Sequence, residues 1–305
     1  MQKNNITVSV AICTYNRSKY LQTCLDSLAH QENVDPKDYE LLIIDNNSTD
    51  NTKDITTGYI NKYPSIKIRY HLEQKIGLSH ARNKAIKEAR GKYIAYIDDD
   101  GIAYPDWIYQ IIEFTRRHPH IMAFGGPSYR YAEIPIPKWA PPDYGNVDLG
   151  DKEKEVTKHI VGCNMIFKKS LFEKLDGFNP SLGMVGKSMG YGEEDEIFIK
   201  MIKFHLPMMY SPHIKIKHLL PSYKLNMFWE LKSRFIKVQT LIFSQKRLGR
   251  DLTNFTPTLQ KLLSFQNLIS KNPIENKIYN ILLAFDIIVA MLYANILNAI
   301  KKFKK

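Results

Sequence analysis

Cysteine is scarce in this 305-residue sequence. Cys13, Cys24 and Cys163 are too few and too scattered for a disulfide framework or a zinc site, which indicates a reducing compartment. The first five residues are polar, and the apolar run over residues 8–13 is too short for the hydrophobic region of a signal peptide. We therefore expect a cytoplasmic protein.

The sequence also lacks internal repeats and low-complexity tracts. Its hydrophobic fraction of 44% and charged fraction of 24% are ordinary for a globular protein and exclude a disordered or fibrous chain. The length allows one large domain with an appendage, or two modest domains.

Acidic residues are scarce in the last third of the chain. The formal net charge is +12, and residues 201–305 hold 17 Lys and Arg against four acidic residues, so the first 200 residues are nearly neutral. Such a basic segment is solvated, or it is attracted to a polyanion such as anionic lipid or nucleic acid. Aromatic residues stand among its cations, as in proteins that bind single-stranded nucleic acid: Tyr223, Phe228, Trp229 and Phe235.

A 23-residue, mostly apolar run covers residues 278–300, and the lysine-rich residues 301–305 follow it. The run is long enough to span a membrane, but Asp286 near its middle makes a lipid-exposed span expensive. We expect a helix that lies in the membrane interface with cationic residues beside it. The alternative is a helix packed on the domain or on a second subunit.

The first hundred residues alternate strand and helix patterns. Buried or half-buried strands are predicted over residues 7–13, 39–44, 66–71 and 93–97, and helices around residues 21–28 and over residues 78–90. This order predicts an α/β fold with a mostly parallel central sheet covered by helices on both faces. In such sheets ligands bind at the C-terminal edge of the strands.

The middle of the chain changes character. Residues 134–144 are rich in proline and predict an extended loop, which also holds Trp139 and Tyr144. Glycines over residues 179–192 predict a mobile loop. The remaining predicted elements are strands at 160–168 and 214–218, a short helix from Ser170, and a helix at 193–205.

Three adjacent acids, Asp98, Asp99 and Asp100, follow the apolar run 93–97. Their mutual repulsion would be relieved by a hard divalent cation that bridges to phosphate oxygens. The alternative is an acidic first turn for a helix near Pro105. The buried strand before the acids favours the metal site.

Four motifs occur in order along the chain: residues 9–17 (SVAICTYNR), 42–50 (LIIDNNSTD), 77–83 (GLSHARN) and 96–100 (YIDDD). Together they resemble the motifs of family 2 glycosyltransferases. The resemblance covers roughly residues 7–220 and implies the GT-A fold, a nucleotide-sugar donor and inversion at the anomeric carbon. It divides the chain into a catalytic domain over residues 1–220 and a basic helical extension over residues 221–305.

The resemblance also implies roles at the donor site. Asp45 would hydrogen-bond the nucleobase, Thr14 would meet the nucleoside, and Arg82 would line the nucleotide pocket. Asp98 would lie towards the ribose, while Asp100 would hold Mg²⁺ or Mn²⁺ together with Asp98 and with His218 as a third ligand. The other expected donor-binding residues are Tyr15, Asn16, Arg17, Asn47 and Asp99. In the proline-rich loop, Trp139 and Tyr144 either stack on sugar faces or have buried hydrophobic roles.

Residues 190–195 (GYGEED) resemble the acceptor-side segment of the same family. The resemblance implies that Asp195 is the general base and that Glu194 orients the acceptor. Further acids at Glu193 and Glu196 leave the register open, and an acidic first turn of a helix is the alternative.

The sequence therefore predicts an inverting, metal-dependent hexosyltransferase that uses a nucleotide-sugar donor and a saccharide or lipid-linked acceptor. We expect it to work in cell-surface polysaccharide or glycolipid synthesis, peripheral at the inner face of the cell membrane, with anionic lipid rather than nucleic acid as partner. A homo-oligomer is possible. The alternatives are a sugar-nucleotide nucleotidyltransferase, which would normally show a glycine-rich phosphate loop, and a non-catalytic nucleotide- or polyanion-binding protein.

Overall fold

The computed structural model describes residues 6–157 and 160–247, and further on residues 281, 282, 285, 288 and 289. Most of the apolar run over residues 278–300 and the whole of 301–305 lie outside the described residues, so their membrane role stays a prediction. Within the described part of the chain, no helix is both long and apolar enough to cross a membrane.

Strands and helices alternate through the first hundred residues, as predicted. The apolar side chains of Leu21, Cys24, Leu25 and Leu28 recur at helical spacing and are buried. The elements are β1 (Val8–Thr14), α1 (Ser18–Ala29), β2 (Tyr39–Asp45), α2 (Thr52–Lys62), β3 (Ile68–Leu72), α3 (Leu78–Glu88) and β4 (Tyr93–Ile97).

The elements after β4 are shorter. The strands are β5 (Gly101–Ala103), β6 (Ala123–Gly125), β7 (Ser128–Ala132), β8 (Lys154–Glu155), β9 (Asn164–Lys168), β10 (Met208–Tyr210) and β11 (Ile216–Leu220). The helices are α4 (Trp107–Arg117), α5 (Phe172–Leu175), α6 (Glu193–Lys203) and α7 (Met227–Arg247), with 3₁₀ turns at Lys169–Leu171 and Ser222–Leu225. The predicted strand over 160–168 is thus confined to its second half, and α7 lies within the segment 221–305 that was predicted to be a helical extension.

The main sheet has the order β3-β2-β1-β4-β9-β6-β10-β8. Strands β3, β2, β1 and β4 are parallel to one another, whereas β9 is antiparallel to β4 and β6. The predicted mostly parallel sheet is confirmed. A second sheet, β5-β11-β7, was not predicted, because its strands are only three to five residues long.

Helices cover both faces of the main sheet. On one face α1, α2 and α4 contribute buried side chains such as Leu25, Tyr59 and Trp107 to one apolar cluster. On the other face α3 and α6 contribute Ala85 and Phe198 to a second cluster. The carboxyl ends of β1 and β2 are in register, since Thr14 lies opposite Asp45. Polar residues after these strands therefore meet at one edge.

The proline-rich loop is irregular, as predicted, and its aromatic residues pack against the protein. Trp139 and Tyr144 meet edge to face with ring centroids 5.4 Å apart. Tyr144 is buried beside Leu225, and its hydroxyl donates a hydrogen bond of 2.9 Å to the carboxylate of Glu230 in α7. Of the two interpretations of Tyr144, the structure supports the buried one. The contact also ties the start of α7 to the α/β body.

Candidate active site

The C-terminal ends of β1 and β4 open on a cleft of about 940 Å³. It is the place where ligands bind in open α/β sheets. Most of the residues predicted for the site line it: Thr14, Tyr15, Asn16, Arg17, Arg82, Asp98, Asp99, Asp100, Glu194 and His218.

Asp45 and Asn47 are not among the lining residues. The carboxylate of Asp45 is buried, and it accepts hydrogen bonds from the Tyr70 hydroxyl at 2.7 Å and from the Ser48 backbone N–H at 2.8 Å. Asn47 is exposed and has a positive φ of 68°. Both residues thus shape the turn after β2 in the structure, next to the cleft.

Asn46 lines the cleft in their place, although the sequence analysis did not single it out. Its buried side-chain amide donates to the backbone carbonyls of Glu73 and Lys75, and its amide oxygen accepts from Gly77 N–H at 2.7 Å. The side chain therefore fastens the end of β2 to the loop that leads into α3. The sequence signal was present, since Asn46 stands between two residues that were predicted.

The three predicted metal ligands come together at one end of the cleft. Asp98 and Asp100 follow β4, and β11 brings His218 opposite Gly101. His218 Nε2 lies 3.0 Å from an oxygen of Asp100 and 3.5 Å from one of Asp98, and the three ligand atoms all fall within 4.8 Å of one another. Two carboxylate oxygens and an imidazole nitrogen fit Mg²⁺ or Mn²⁺.

Arg17 relieves part of the repulsion among the acids. Its Nε lies 2.8 Å from an oxygen of Asp99, and its guanidinium also bonds the carboxylate of Asp100. Burial raises the pKa of Asp99 to about 7 despite Arg17. Burial acts in the same direction on Asp100, but His218 and Arg17 outweigh it and hold the pKa of Asp100 well below its usual range. Arg17 is thus an internal counterion of the acidic cluster.

Arg82 organises a second charged group of the cleft. One guanidinium nitrogen of this buried residue bonds Glu193 at 2.8 Å and Glu194 at 2.9 Å. Burial raises the pKa of Glu194, but Arg82 and a hydrogen bond from Glu193 outweigh burial and hold it at about 2. Burial and the neighbouring Glu194 raise the pKa of Glu193. Glu194 is therefore an ionised carboxylate at neutral pH.

Glu194 faces the cleft, and Asp195 does not. Glu194 is one of the lining residues, and its side chain is 26% exposed. Asp195 is half-buried and is absent from the lining. Successive residues of a helix point about 100° apart, so the side chains of Glu194 and Asp195 point in different directions. The backbone just before β9 lies close to Glu194, because a Cβ at Gly162 would lie 2.4 Å from an oxygen of its carboxylate.

The start of α7 and the turn before it form a further wall that the sequence analysis did not predict. Tyr223, Lys224, Trp229 and Arg234 line the cleft, whereas Phe228 is 82% exposed. The aromatic residues of this segment were noted only as typical of a polyanion binder. Their place in the cleft depends on the packing of Tyr144 against α7, which no local sequence pattern reveals.

Comparisons with known proteins bear on the family and the fold. The family model for glycosyl transferase family 2 matches residues 9–176. Poly(ribitol-phosphate) beta-glucosyltransferase from Bacillus spizizenii is 30% identical over 170 residues, which are 55% of this chain but 26% of that protein. Glucosyl-dolichyl phosphate glucuronosyltransferase from Haloferax volcanii is 24% identical over 234 residues, or 73% of this chain and 72% of that protein.

A solved structure shares the architecture. It is the mannosyltransferase PcManGT from Pyrobaculum calidifontis in complex with GDP-Man and Mn²⁺, with a TM-score of 0.60 and 19% identity over 98% of this chain and 80% of that chain. At this identity the similarity shows the fold. The predicted GT-A fold is confirmed.

Proposed function

The chain belongs to glycosyl transferase family 2, and from that premise we propose that it transfers a sugar, with inversion, from a nucleotide diphosphate donor to a hydroxyl acceptor. The observation that supports this proposal most is the convergence of Asp98, Asp100 and His218 in the same cleft as the ionised Glu194. Family membership argues against the two alternatives, a nucleotidyltransferase and a non-catalytic binding protein.

Asp98, Asp100 and His218 are the residues that would hold Mg²⁺ or Mn²⁺. When bound there, the cation would stabilise the negative charge that develops on the departing diphosphate. The fit rests on the donor set of two carboxylates and one imidazole, whose ligand atoms lie within 4.8 Å of one another. Mn²⁺ in the PcManGT complex supports the same proposal.

The donor would lie along the loops after β1 and β4. Thr14, Tyr15, Asn16 and Arg17 line this part of the cleft, and Asn16 is held by hydrogen bonds that join the loops after β1 and β2. Asp45 lies opposite Thr14 in the β-ladder. Both of its carboxylate oxygens are engaged, so a direct bond to the nucleobase would replace one of its present bonds.

For the general base we propose Glu194 in place of the predicted Asp195. In the reaction the acceptor hydroxyl oxygen forms a bond to the anomeric carbon while the bond from that carbon to the diphosphate oxygen breaks. The hydroxyl proton passes to the Glu194 carboxylate. Arg82 holds this carboxylate in place and keeps it ionised. Attack from the face opposite the leaving group inverts the anomeric configuration.

For the acceptor we propose a saccharide or a lipid-linked saccharide in polysaccharide or glycolipid synthesis. The names of the two relatives refer to poly(ribitol-phosphate) and to glucosyl-dolichyl phosphate, a polymer and a lipid-linked sugar. The basic C-terminal segment would hold the enzyme at an anionic membrane surface.

The test is a panel of UDP- and GDP-sugars incubated with the protein, with and without MnCl₂. We expect one donor to release its nucleotide diphosphate in a metal-dependent manner, and Asp100→Ala to abolish the release. If no donor turns over, or if EDTA leaves the rate unchanged, the proposed function or its metal dependence is wrong.

A further inference from the structure

Two lysines that line the cleft, the exposed Lys187 and the half-buried Lys224, have no part in the chemistry described so far. Lys224 lies in the 3₁₀ turn Ser222–Leu225, six residues after the metal ligand His218. Its side chain is half-buried and lines the cleft. Over residues 6–157 and 160–247, no carboxylate pairs with its ammonium group, whose neighbour is the Trp229 ring at 6.0 Å. Lys224 thus offers a positive charge to an anionic ligand in the cleft.

The backbone of Lys224 is fixed. Its N–H donates to the Pro221 carbonyl at 2.9 Å, and its carbonyl accepts from the Tyr144 hydroxyl at 3.2 Å. The next residue, Leu225, is buried in the small apolar cluster around Tyr144. The turn is therefore held in place, and the lysine projects from a rigid support.

The turn lies at the metal end of the cleft. Lys224 lies in the turn that follows β11, the strand that carries His218, and its charge contributes to lowering the pKa of Asp100. Arg17 and Asp100 are themselves joined by an ion pair. A cation at this position is close to where the diphosphate of a metal-bound donor must lie, because the metal and the diphosphate are neighbours in such sites.

The charge balance of the cleft points to the same ligand. Arg17 is already paired with Asp99, and Arg82 is paired with Glu193 and Glu194. Two carboxylates would neutralise a divalent metal ion. The negative charge of a donor diphosphate, which increases when the sugar leaves, is then unbalanced. Of the other cations that line the cleft, Arg234 is paired with Glu230 and Lys187 is exposed, so the half-buried Lys224 is the cation that we consider for this charge.

We propose that Lys224 binds the diphosphate of the nucleotide donor and stabilises it as the leaving group. This inference rests on the proposed function, since it gives the lysine a place in the same reaction. A lysine suits the task because its ammonium is a compact point charge for phosphate oxygens.

The affinity of the protein for nucleotides, measured in the absence of a sugar donor, tests this role of Lys224. UDP and GDP, and then UMP and GMP, are titrated by calorimetry with MnCl₂ into wild type, Lys224→Ala and Lys224→Arg. We expect Lys224→Ala to bind the diphosphate about tenfold to a hundredfold more weakly, the range of a hydrogen bond to a charged group. Monophosphate affinity should change less, and Lys224→Arg should restore most of the loss. The matched control is Lys232→Ala, since Lys232 is exposed on α7 and does not line the cleft.

The experiment distinguishes failure of the inference about Lys224 from failure of the proposed function. If wild type binds a diphosphate and Lys224→Ala binds it equally well, the inference is overturned while the proposed function stands. Equal weakening of mono- and diphosphate, or a raised acceptor KM with unchanged diphosphate affinity, also overturns it. If wild type binds neither UDP nor GDP with Mn²⁺, the proposed function fails and the inference falls with it.

Discussion

Glu194→Gln tests the identity of the general base. Glutamine has the size of glutamate, and its amide oxygen can still accept the hydrogen bond from Arg82, so the local geometry should survive. It cannot accept the acceptor's proton. The loss of a general base costs about 10²–10⁴ in rate, or about 3 to 5 kcal/mol of activation free energy. We expect a loss of that size in the transfer rate constant.

Asp195→Asn is the matched control. The two residues are adjacent in α6, but Asp195 does not line the cleft, so its conversion to the amide should leave transfer near the wild-type rate. Donor affinity should be unchanged in both variants, because the residues proposed to hold the donor belong to the loops after β1 and β4. The assay combines donor calorimetry with the transfer rate on a working acceptor.

Two results would refute this reasoning. If Glu194→Gln retains transfer while Asp195→Asn loses it with donor affinity intact, Asp195 is the base, as the sequence analysis predicted. If Glu194→Gln loses donor binding as well as transfer, Glu194 belongs to the donor side of the cleft, and the proposed division of the cleft between donor and acceptor is wrong.

Three further predictions concern other parts of the protein. Arg82→Gln removes the cation that lowers the pKa of Glu194, so that pKa should rise and the acid limb of the pH–rate profile should move to higher pH; an unshifted limb contradicts the pairing. Asp100→Ala should abolish the increase in Tm that Mn²⁺ gives wild type, because binding to the native state stabilises it; an equal increase contradicts the metal site. Deletion of residues 274–305 should weaken binding to anionic vesicles, as should high salt for the full chain; a full chain that ignores such vesicles at low salt excludes the membrane role.

The main sheet was predictable because parallel strands buried on both faces have nearly continuous apolar sequences. Residues 39–44 and 93–97 are such runs, and they became β2 and β4. Helix α2 was not predicted. Its buried residues are Thr52, Thr56 and Tyr59, which form no regular apolar stripe, so its helical state depends on packing against the sheet.

The acidic cluster Asp98–Asp100 in the cleft was predictable because adjacent acids after a buried strand form a local motif. The residue of α6 that faces the cleft was not predictable from the sequence. Four consecutive acids, Glu193 to Glu196, locate the start of a helix but do not tell which of them faces the cleft. Lys224 was missed for a different reason. Its place depends on the distant contact between Tyr144 and Glu230, which only the folded chain brings together.

NMR of the anomeric centre tests the central claim most directly, once the donor panel has identified a nucleotide sugar. The account predicts that wild type with Mn²⁺ gives a glycoside whose anomeric configuration is opposite to that of the donor, together with one equivalent of nucleotide diphosphate. Glu194→Gln and EDTA-treated wild type should give almost none. A product that keeps the donor's configuration, or full transfer in EDTA, would contradict it.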